Sequence, residues 1–319
     1  MTGAAGPHWA LPGGAFALLG PRVMGILNVT PDSFSDGGEL ASVEDAVARG
    51  RAMVDRGADL LDVGGESTRP GADPVSTEEE LGRVVPVVKA LAREVSVPLS
   101  VDTRRAPVAR AALEAGASIV NDVSGLAFDE DMAGVVARAR AGLVLMHMRG
   151  TPRTMMDRTG YDDVVADVTR ELALALDRGT AAGIAPGAVV VDPGLGFAKT
   201  PDQSFRLLGA AGELSRALGR PVLVGPSRKS FLGALLGLEP RDRVRATAVA
   251  CALAVAAGAR IVRVHDVAEA AEAVRIAEAV RLGRIPADPD SGNGPVSGPA
   301  ADLDAAVAPG GAPGHEGGT

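Results

Sequence analysis

Short aliphatic runs alternate with longer amphipathic segments along most of the chain. The long segments carry apolar residues at a spacing of three to four, which is typical of helices that pack one face on a sheet. Several of them stop at a glycine, as expected at a helix C-terminus: Gly57, Gly116, Gly183 and Gly258. Predicted helices include Val43–Gly57, Thr77–Glu94 and Asp162–Gly183. The predicted strands are Val23–Asn28, Leu60–Gly64, Leu99–Asp102, Ile119–Asp122, Leu143–Met146, Val189–Asp192, Val222–Gly225 and Arg260–Val264.

The spacing of these strands predicts the architecture. From Asn28 to Arg263 there are 235 residues in seven intervals, about 34 residues each, which matches one strand and one helix per interval. Eight consecutive units of this kind favour a single closed (β/α)8 TIM barrel over an open doubly wound sheet. The interval between Asp102 and Asn121 is tight and leaves room only for a short helix around Ala106–Ala115.

The two ends of the chain differ in composition from the middle. Residues 1–21 are predicted to form a lead-in with a short strand pair that covers one end of the barrel, which is assigned to residues 22–285. Residues 286–319 are dominated by Gly, Pro, Ala, Ser and Asp and have no apolar periodicity. Such a segment cannot bury enough surface to offset its ordering entropy, so we predict a disordered tail.

Composition narrows the class of protein. Hydrophobic residues make up 46% and aromatic residues only 3%, so the core must consist mainly of Ala, Val and Leu. A net charge of −8 without a long basic run argues against nucleic acid and anionic membranes as partners. The single cysteine, Cys251, excludes an internal disulfide and a multi-cysteine metal site. Because neither a secretion signal nor a bilayer-length apolar run is present, we expect a soluble, cytoplasmic protein.

Nearly every predicted strand ends in a residue that can form hydrogen bonds or carry charge. In a parallel barrel these ends share one rim, where the loops that follow the strands build the active site. For a single residue the competing explanation is a helix cap, and for Asp122 we prefer it because a helix start follows soon after. The polar ends are Asn28, Asp62 with the Gly64–Arg69 turn, Asp102, Asn121 with Asp122, His147, Asp192, Ser227–Ser230, and Arg263 with His265.

The rim residues divide into two chemistries. Asp102, Asn121 and Asp192 are acceptors suited to a flat heterocycle with amidine-like donors, because a carboxylate accepts two parallel N–H bonds. The donors and cations, suited to a polyanion such as diphosphate, are Arg69, Lys229, Arg263 and His265. Ion pairing along the rim without any ligand, for example between Asp102 and Lys229, is the alternative. The glycine-rich turn Asp192–Phe197 permits close approach of backbone to a ligand, but it is neither a dinucleotide fingerprint nor a phosphate loop.

These residues stand in motifs that resemble the dihydropteroate synthase family over roughly Val23–Leu282. Taken in order, the set is too long to agree by chance. The motifs are GILNVTPDSFSDGG (Gly25–Gly38), DVGGESTRPGA (Asp62–Ala72), VDT (Val101–Thr103), NDVSG (Asn121–Gly125), LMHM (Leu145–Met148), DPGLGF (Asp192–Phe197), SRKS (Ser227–Ser230) and RVHDV (Arg263–Val267).

The resemblance implies a transferase of folate biosynthesis, and a homodimer. The implied reaction condenses (7,8-dihydropterin-6-yl)methyl diphosphate with 4-aminobenzoate to give 7,8-dihydropteroate and pyrophosphate. A Mg²⁺ ion shared with the diphosphate would be bound by Asn28. The resemblance assigns the pterin to Asp102, Asn121, Met146, Asp192, Phe197 and Lys229, the diphosphate to Thr68, Arg69, Arg263 and His265, and the aminobenzoate pocket to Phe34, Asp36, Thr68, Pro70 and Ser230.

The residues expected to take part in catalysis are Asp102, Lys229 and Arg69. Departure of diphosphate leaves positive charge on the pterin, which a fixed anion such as Asp102 stabilises, while cations stabilise the leaving group. Asn28 offers one amide oxygen of the six that Mg²⁺ prefers, so we expect the metal to arrive with the diphosphate. His147 is interpreted as a polar residue beneath the site rather than a base.

Three alternatives remain open at this stage. The first is a pterin-binding barrel that transfers a methyl group to a corrinoid, although the cations and the two loop motifs argue against it. The second is a non-catalytic pterin-binding paralogue. The third is a barrel enzyme for another phosphorylated substrate.

Overall fold

The computed structural model describes residues 7–29, 43–69 and 71–286. Within them, eight parallel strands form one sheet. The strands are β3 (Arg22–Asn28), β4 (Leu60–Gly64), β5 (Leu99–Asp102), β6 (Ile119–Asp122), β7 (Gly142–Met146), β8 (Val189–Asp192), β9 (Leu223–Val224) and β10 (Ile261–Val264). Their order in the sheet is β8-β7-β6-β5-β4-β3-β10-β9. A parallel bridge between Val191 and Val222 joins β8 to β9 and closes the sheet into a barrel. The predicted (β/α)8 barrel is therefore confirmed.

Helices surround this sheet and cover its outer face. The short helix predicted between β5 and β6 is present at the predicted residues. Ser76 caps the second helix by accepting from the Glu79 backbone N–H at 3.1 Å. The helices are α1 (Val43–Asp55), α2 (Thr77–Glu94), α3 (Ala106–Ala115), α4 (Met132–Ala139), α5 (Val164–Ala181), α6 (Pro201–Gly209), α7 (Ala211–Leu218), α8 (Ser230–Leu236), α9 (Val244–Ala256) and α10 (Val267–Leu282).

Side chains on the strands alternate between two apolar layers, as the pleat of a β-strand requires. One layer lies between the strands and the surrounding helices and contains, for example, Val120, Leu145 and Val191. The other fills the lower barrel interior with Met24, Leu60, Ile119, Val144, Val190, Leu223 and Ile261. This alternation decides which strand-end residues face the barrel axis.

An antiparallel hairpin closes the end of the barrel where the strands begin. It consists of β1 (His8–Leu11) and β2 (Gly14–Ala17). Trp9 is fully buried, packs with the interior layer and donates its indole N–H to the Ala188 carbonyl at 2.7 Å. The predicted strand pair is therefore present.

The predicted tail lies outside the described residues apart from residue 286. Among the residues that the structure does describe, no helix combines the length and the apolar character needed to cross a bilayer.

Candidate active site

A layer of polar side chains lies directly above the apolar barrel interior. Two residues beyond an interior-facing residue, a strand again presents its side chain to the barrel axis. In this way Leu60 is followed by Asp62, and Ile119 by Asn121. The same step places Met146, Asp192 and Arg263 toward the axis, after Val144, Val190 and Ile261.

Arg263 joins two carboxylates at the centre of this layer. Its Nε donates to Asp62 Oδ2 at 2.6 Å and its Nη2 donates to Asp102 Oδ2 at 2.7 Å. Asn121 Nδ2 donates to the same Asp62 oxygen at 2.9 Å. Asp62 is fully buried and so holds both Arg263 and Asn121 in place. The sequence identifies Asp62 as a polar residue near a strand end but does not assign it to a site. The alternation of side chains along β4 could have placed it in the barrel interior, because it stands two residues after Leu60.

Asp102 retains acceptor capacity beside the guanidinium. Its Oδ1 is buried and has no hydrogen-bond partner among the described residues. Burial raises the pKa of Asp102 to about 7, and the positive charge of Arg263 opposes the rise. The rim ion pair considered from the sequence, Asp102 with Lys229, is not the pair found, since Arg263 occupies that role.

Asp192 and Lys229 form the second part of the polar layer. Asp192 Oδ1 accepts from the Gly194 backbone N–H at 2.7 Å. Lys229 Nζ donates to the Leu195 carbonyl and lies 4.6 Å from the centre of the Phe197 ring. Burial lowers the pKa of Lys229 to about 8, and burial raises that of Asp192 against the attraction of Lys229.

Met146 lies beside Asp192, because the two residues are paired in the β7–β8 ladder. The loop that follows β8 passes close beneath β7. A Cβ on Gly194 would lie 2.0 Å from the His147 carbonyl oxygen, and Gly194 has a φ of +67°. Only glycine fits there, which gives the glycine-rich turn a structural reason as well as a functional one.

His265 marks the end of the site that is richer in donors. Its Nδ1 lies 2.9 Å from Ser227 Oγ, and its Nε2 lies 3.5 Å from Asn28 Nδ2. Burial, followed by the charge of Arg263, lowers the pKa of His265 to about 3. The sequence places His265 among the donors and cations of the rim. In this structure its imidazole is neutral at pH 7, because both burial and the neighbouring guanidiniums disfavour the charged form.

The β4–α2 loop, residues 65–76, carries Thr68 and Arg69 beside the site. Arg69 is exposed, yet its charge contributes to lowering the pKa of His265, which places it near the same donor-rich end. Ser230 is exposed at the first residue of α8, directly after Lys229. Three predicted site residues, Phe34, Asp36 and Pro70, lie outside the described residues.

A cluster of charges at the base of the β4–α2 loop was not predicted. Arg105 Nη2 donates to Glu66 Oε1 at 3.1 Å and to the Val75 carbonyl at 2.7 Å, so one guanidinium holds both ends of the loop. Its Nη1 also donates to Glu80, which is fully buried. Arg104 Nε donates to Glu66 Oε2 at 3.2 Å. No motif signals this clasp, because its members come from the β4–α2 loop, from helix α2 and from the loop between β5 and α3.

Asp122 and His147 face away from the barrel axis. They follow Val120 and Leu145, which belong to the layer under the helices. The Asp122 carboxylate accepts from the backbone N–H groups of Ser124 and Leu126, both at 2.8 Å. These contacts agree with the structural interpretation of Asp122 and with placing His147 outside the pterin site.

Comparisons with known proteins agree with this geometry. The model of the family described as pterin binding enzyme matches residues 24–265. A dihydropteroate synthase from Synechocystis sp. is 48% identical over 259 residues, covering 81% of this chain and 89% of the relative. A Yersinia pestis dihydropteroate synthase structure in complex with a sulfonamide drug superposes with a TM-score of 0.82 at 44% identity, covering 86% and 99% of the two chains. A Xanthomonas albilineans dihydropteroate synthase structure with 4-aminobenzoic acid gives 0.81 at 46% identity, covering 86% and 98%.

Proposed function

The chain belongs to the pterin-binding enzyme family and, within it, to the dihydropteroate synthases. We propose which of its residues bind each part of the substrates and which stabilise the transition state. The reaction joins (7,8-dihydropterin-6-yl)methyl diphosphate to 4-aminobenzoate and releases pyrophosphate, a step of folate biosynthesis. The observation that carries the assignment of roles is the polar layer in the upper barrel. It sets buried acceptors beside partly buried donors at one end of the barrel.

The acceptors bind the pterin edge. Asp102 and Asp192 accept hydrogen bonds from the ring N–H groups, and Asp102 does so through its unpartnered Oδ1. The N–H groups of a flat heterocycle lie in the plane of the ring and can bond to a carboxylate in that plane. Asn121 is held by Asp62 and supplies its amide carbonyl. Met146 and Phe197 contact the faces of the ring, and Lys229 donates to its acceptor atoms.

The donor-rich end binds the diphosphate. Arg263 is charged and held by two carboxylates, and Arg69 and Thr68 approach from the β4–α2 loop. With its proton on Nε2, neutral His265 donates a hydrogen bond to a phosphate oxygen. The negative charge of the bound diphosphate also favours the charged imidazole. Arg263 and Arg69 stabilise the leaving group as the C–O bond breaks, and Asp102 stabilises the positive charge that develops on the pterin.

The second substrate needs no strong base. The nitrogen of 4-aminobenzoate is neutral at pH 7 and attacks the methylene carbon directly. A pocket for it that includes Thr68 and Ser230, together with Phe34, Asp36 and Pro70, follows from the family resemblance. Exclusion of water by the surrounding loops protects the cationic pterin from hydrolysis.

A Mg²⁺ ion fits this site only together with its substrate. Among the described residues no group of three or more His, Cys, Asp or Glu side chains is arranged to hold a metal. Asn28 supplies one amide oxygen, and the missing side chain at Gly64 keeps the space between Asn28 and Asp102 open. When bound, the ion would neutralise phosphate charge, and Asn28 would supply one of the six oxygens that Mg²⁺ prefers.

Because most ligands of the ion come from the substrate, we expect the affinity for Mg²⁺ to depend on whether a diphosphate is bound. Calorimetric titration of the free enzyme with Mg²⁺ alone is expected to show no binding in the micromolar range, whereas binding strengthens when pyrophosphate is present. Micromolar binding of Mg²⁺ without pyrophosphate contradicts the assignment.

We also propose that the enzyme is a homodimer that associates through the outer faces of α9 and α10. On these packed helices Val249, Leu253, Ile276 and Val280 are between 57% and 77% exposed and form apolar stripes at helical spacing. The cytoplasmic location inferred from the sequence stays a prediction.

A single assay tests the proposed function. The protein is incubated with the pterin diphosphate, 4-aminobenzoate and Mg²⁺, and dihydropteroate and pyrophosphate are quantified by mass spectrometry and a coupled phosphate assay. Formation of both products in equal amounts is expected. Binding of the pterin without turnover identifies a non-catalytic paralogue instead. Because a related structure holds a sulfonamide drug, competitive inhibition by a sulfonamide against 4-aminobenzoate is expected as well.

A further inference from the structure

A buried lysine lies next to the pterin site without belonging to the polar layer. Lys199 is 2% exposed and stands seven residues beyond Asp192, at the end of the β8–α6 loop, residues 193–200. Its Nζ donates to the Phe197 carbonyl at 2.8 Å and lies 3.0 Å from His147 Nδ1. A buried lysine is costly unless its N–H groups are satisfied, so this arrangement requires an explanation.

The histidine is itself fixed from its far side. His147 Nε2 lies 2.9 Å from Glu171 Oε2, and Arg149 Nε donates to the same carboxylate oxygen at 3.0 Å. A carboxylate only accepts, so His147 carries its proton on Nε2 and presents Nδ1 as an acceptor to Lys199. Burial lowers the pKa of His147 to about 4, which keeps the imidazole in this neutral form.

Lys199 stabilises a turn whose backbone conformation is otherwise unfavourable. Ala198 has a φ of +53°, in the left-handed region that residues other than glycine seldom adopt. Such a conformation persists where the surrounding contacts over-determine it. The bond from Lys199 Nζ to the carbonyl of Phe197 spans Ala198 and supplies that constraint.

A second lysine binds another carbonyl of the same loop. Lys229 donates to the Leu195 carbonyl and lies over the Phe197 ring. Lys229 and Lys199 therefore hold the carbonyls of residues 195 and 197. With its carbonyl fixed in this way, Phe197 has a defined ring position beside Lys229.

We propose that Lys199 is a positioning residue for the pterin site, which fixes the Phe197–Lys199 turn and is itself fixed by His147, Glu171 and Arg149. The inference rests on the proposed function, because it assigns the Phe197 ring to pterin contact. Lys199 touches no reacting atom and acts only through Phe197.

The role needs two N–H donors and no charge. Burial lowers the pKa of Lys199 to about 7; among its charged neighbours Asp192 and Glu171 oppose this shift, while Lys229 and Arg149 add to it. A neutral amine has two N–H bonds, which match the two acceptors, the Phe197 carbonyl and His147 Nδ1. An apolar side chain of similar length at this position keeps the volume but loses both bonds.

The test replaces Lys199→Met and measures binding separately for the two substrates. We expect the Kd and KM for the pterin diphosphate to rise about tenfold, the cost of one hydrogen bond that positions the ring. The KM for 4-aminobenzoate stays within about twofold of the parent, since its pocket lies on other loops. The matched control is Trp9→Phe, which removes a buried side-chain-to-backbone bond at the opposite end of the barrel and leaves pterin affinity unchanged.

Two outcomes overturn the proposal: parent-like pterin affinity in Lys199→Met, or an equal loss of pterin affinity in Trp9→Phe. If Lys199→Met does not fold, the double variant Ala198→Gly/Lys199→Met is used, because glycine adopts the left-handed turn without strain. In that variant too, pterin binding must be weaker than in Ala198→Gly alone. Failure of the proposed function is a separate result, seen as absence of pterin diphosphate binding or turnover in the parent itself.

Discussion

At the scale of single residues, the direction of a side chain separates function from structure at the strand ends. Asp192 and Asp122 both terminate parallel strands, but Asp192 faces the barrel axis and Asp122 faces the helices. Both carboxylate oxygens of Asp122 accept hydrogen bonds from backbone N–H groups of the loop that follows it. Asp192 Oδ1 accepts from the Gly194 backbone N–H, and we propose that its other oxygen accepts from the pterin.

This difference predicts opposite phenotypes for two conservative substitutions. Asp192→Asn exchanges an acceptor for a donor against the pterin, so kcat/KM for the pterin diphosphate is expected to fall about 10- to 100-fold, as for loss of a charge-assisted hydrogen bond. Asp122→Asn lowers stability by about 1–2 kcal/mol with little change in pterin affinity. Steady-state kinetics and urea unfolding of both variants distinguish the roles, and an equal kinetic effect of the two contradicts them.

His147 gives the enzyme a predictable sensitivity to acid. The pKa of its imidazole is about 4 in the folded protein, against an ordinary value of 6.5. Between these values the unfolded chain binds more protons, so the free energy of unfolding falls as the pH drops from 6.5 toward 4, by up to about 3 kcal/mol from this group.

Replacement His147→Gln removes this contribution. We expect a flatter dependence of the free energy of unfolding on pH between 4 and 6.5, measured by denaturant titration at several pH values. A parent slope in His147→Gln shows that other groups cause the acid sensitivity.

At the scale of elements, the β4–α2 loop depends on a clasp supplied by other parts of the chain. Arg105 binds Glu66 and the Val75 carbonyl, which stand at opposite ends of the loop, and Glu80 beneath them. Burial raises the pKa of Glu80, and the positive charge of Arg105 opposes this rise. Without Arg105, the buried carboxylate loses much of the charge that offsets its loss of hydration. The loop that carries Thr68 and Arg69 is thus fixed at its base, while its tip contacts the β7 loop through a Gly71 N–H to Pro152 carbonyl bond of 3.1 Å.

Substitution of Arg105→Met is therefore expected to affect both stability and the loop. Leaving the buried Glu80 without its partner should cost about 3–5 kcal/mol, and amides of residues 66–75 should exchange faster in hydrogen-exchange mass spectrometry. The control is Arg51→Met, which breaks an exposed pair with Glu94 at 3.6 Å and should cost less than about 1 kcal/mol. Unchanged exchange in the loop of Arg105→Met rules out the clasp.

At the scale of the whole molecule, the polar layer and the apolar stripes on α9 and α10 lie in different places. The first is enclosed at the mouth of the barrel and the second is exposed on its outer wall. Exposed apolar stripes at helical spacing are unusual on a monomer. They support association of two copies without a residue of the polar layer taking part.

A charge placed in this face should separate the copies. Leu253→Glu is expected to convert the dimer to a monomer in sedimentation velocity, since a carboxylate cannot be buried unpaired in an apolar interface. Leu174→Glu, on the comparably exposed Leu174 of α5, should leave the dimer intact. A parent that sediments as a monomer, or a dimer that persists in Leu253→Glu, contradicts the proposed interface.

Most of the architecture was predictable because it depends on local periodicity. Strands β4, β5, β6 and β8 and helices α2 and α3 have the predicted bounds, and the predicted glycines Gly57, Gly116, Gly183 and Gly258 all have positive φ after helix ends. Strand β9 is shorter than predicted. Prolines stand just before the predicted run and directly after it, and a proline cannot donate to the ladder.

By itself, then, the sequence determined the barrel and which residues stand on its rim, since both follow from periods of two and about 3.6 along one chain. The tertiary structure decided how these residues pair. Arg263 bonds to Asp62 and Asp102 across 201 and 161 residues, and burial makes His265 neutral. Lys199 likewise meets His147 only in the folded chain. Pairing and protonation depend on distance and burial in three dimensions, and neither quantity is encoded in the spacing of residues along the chain.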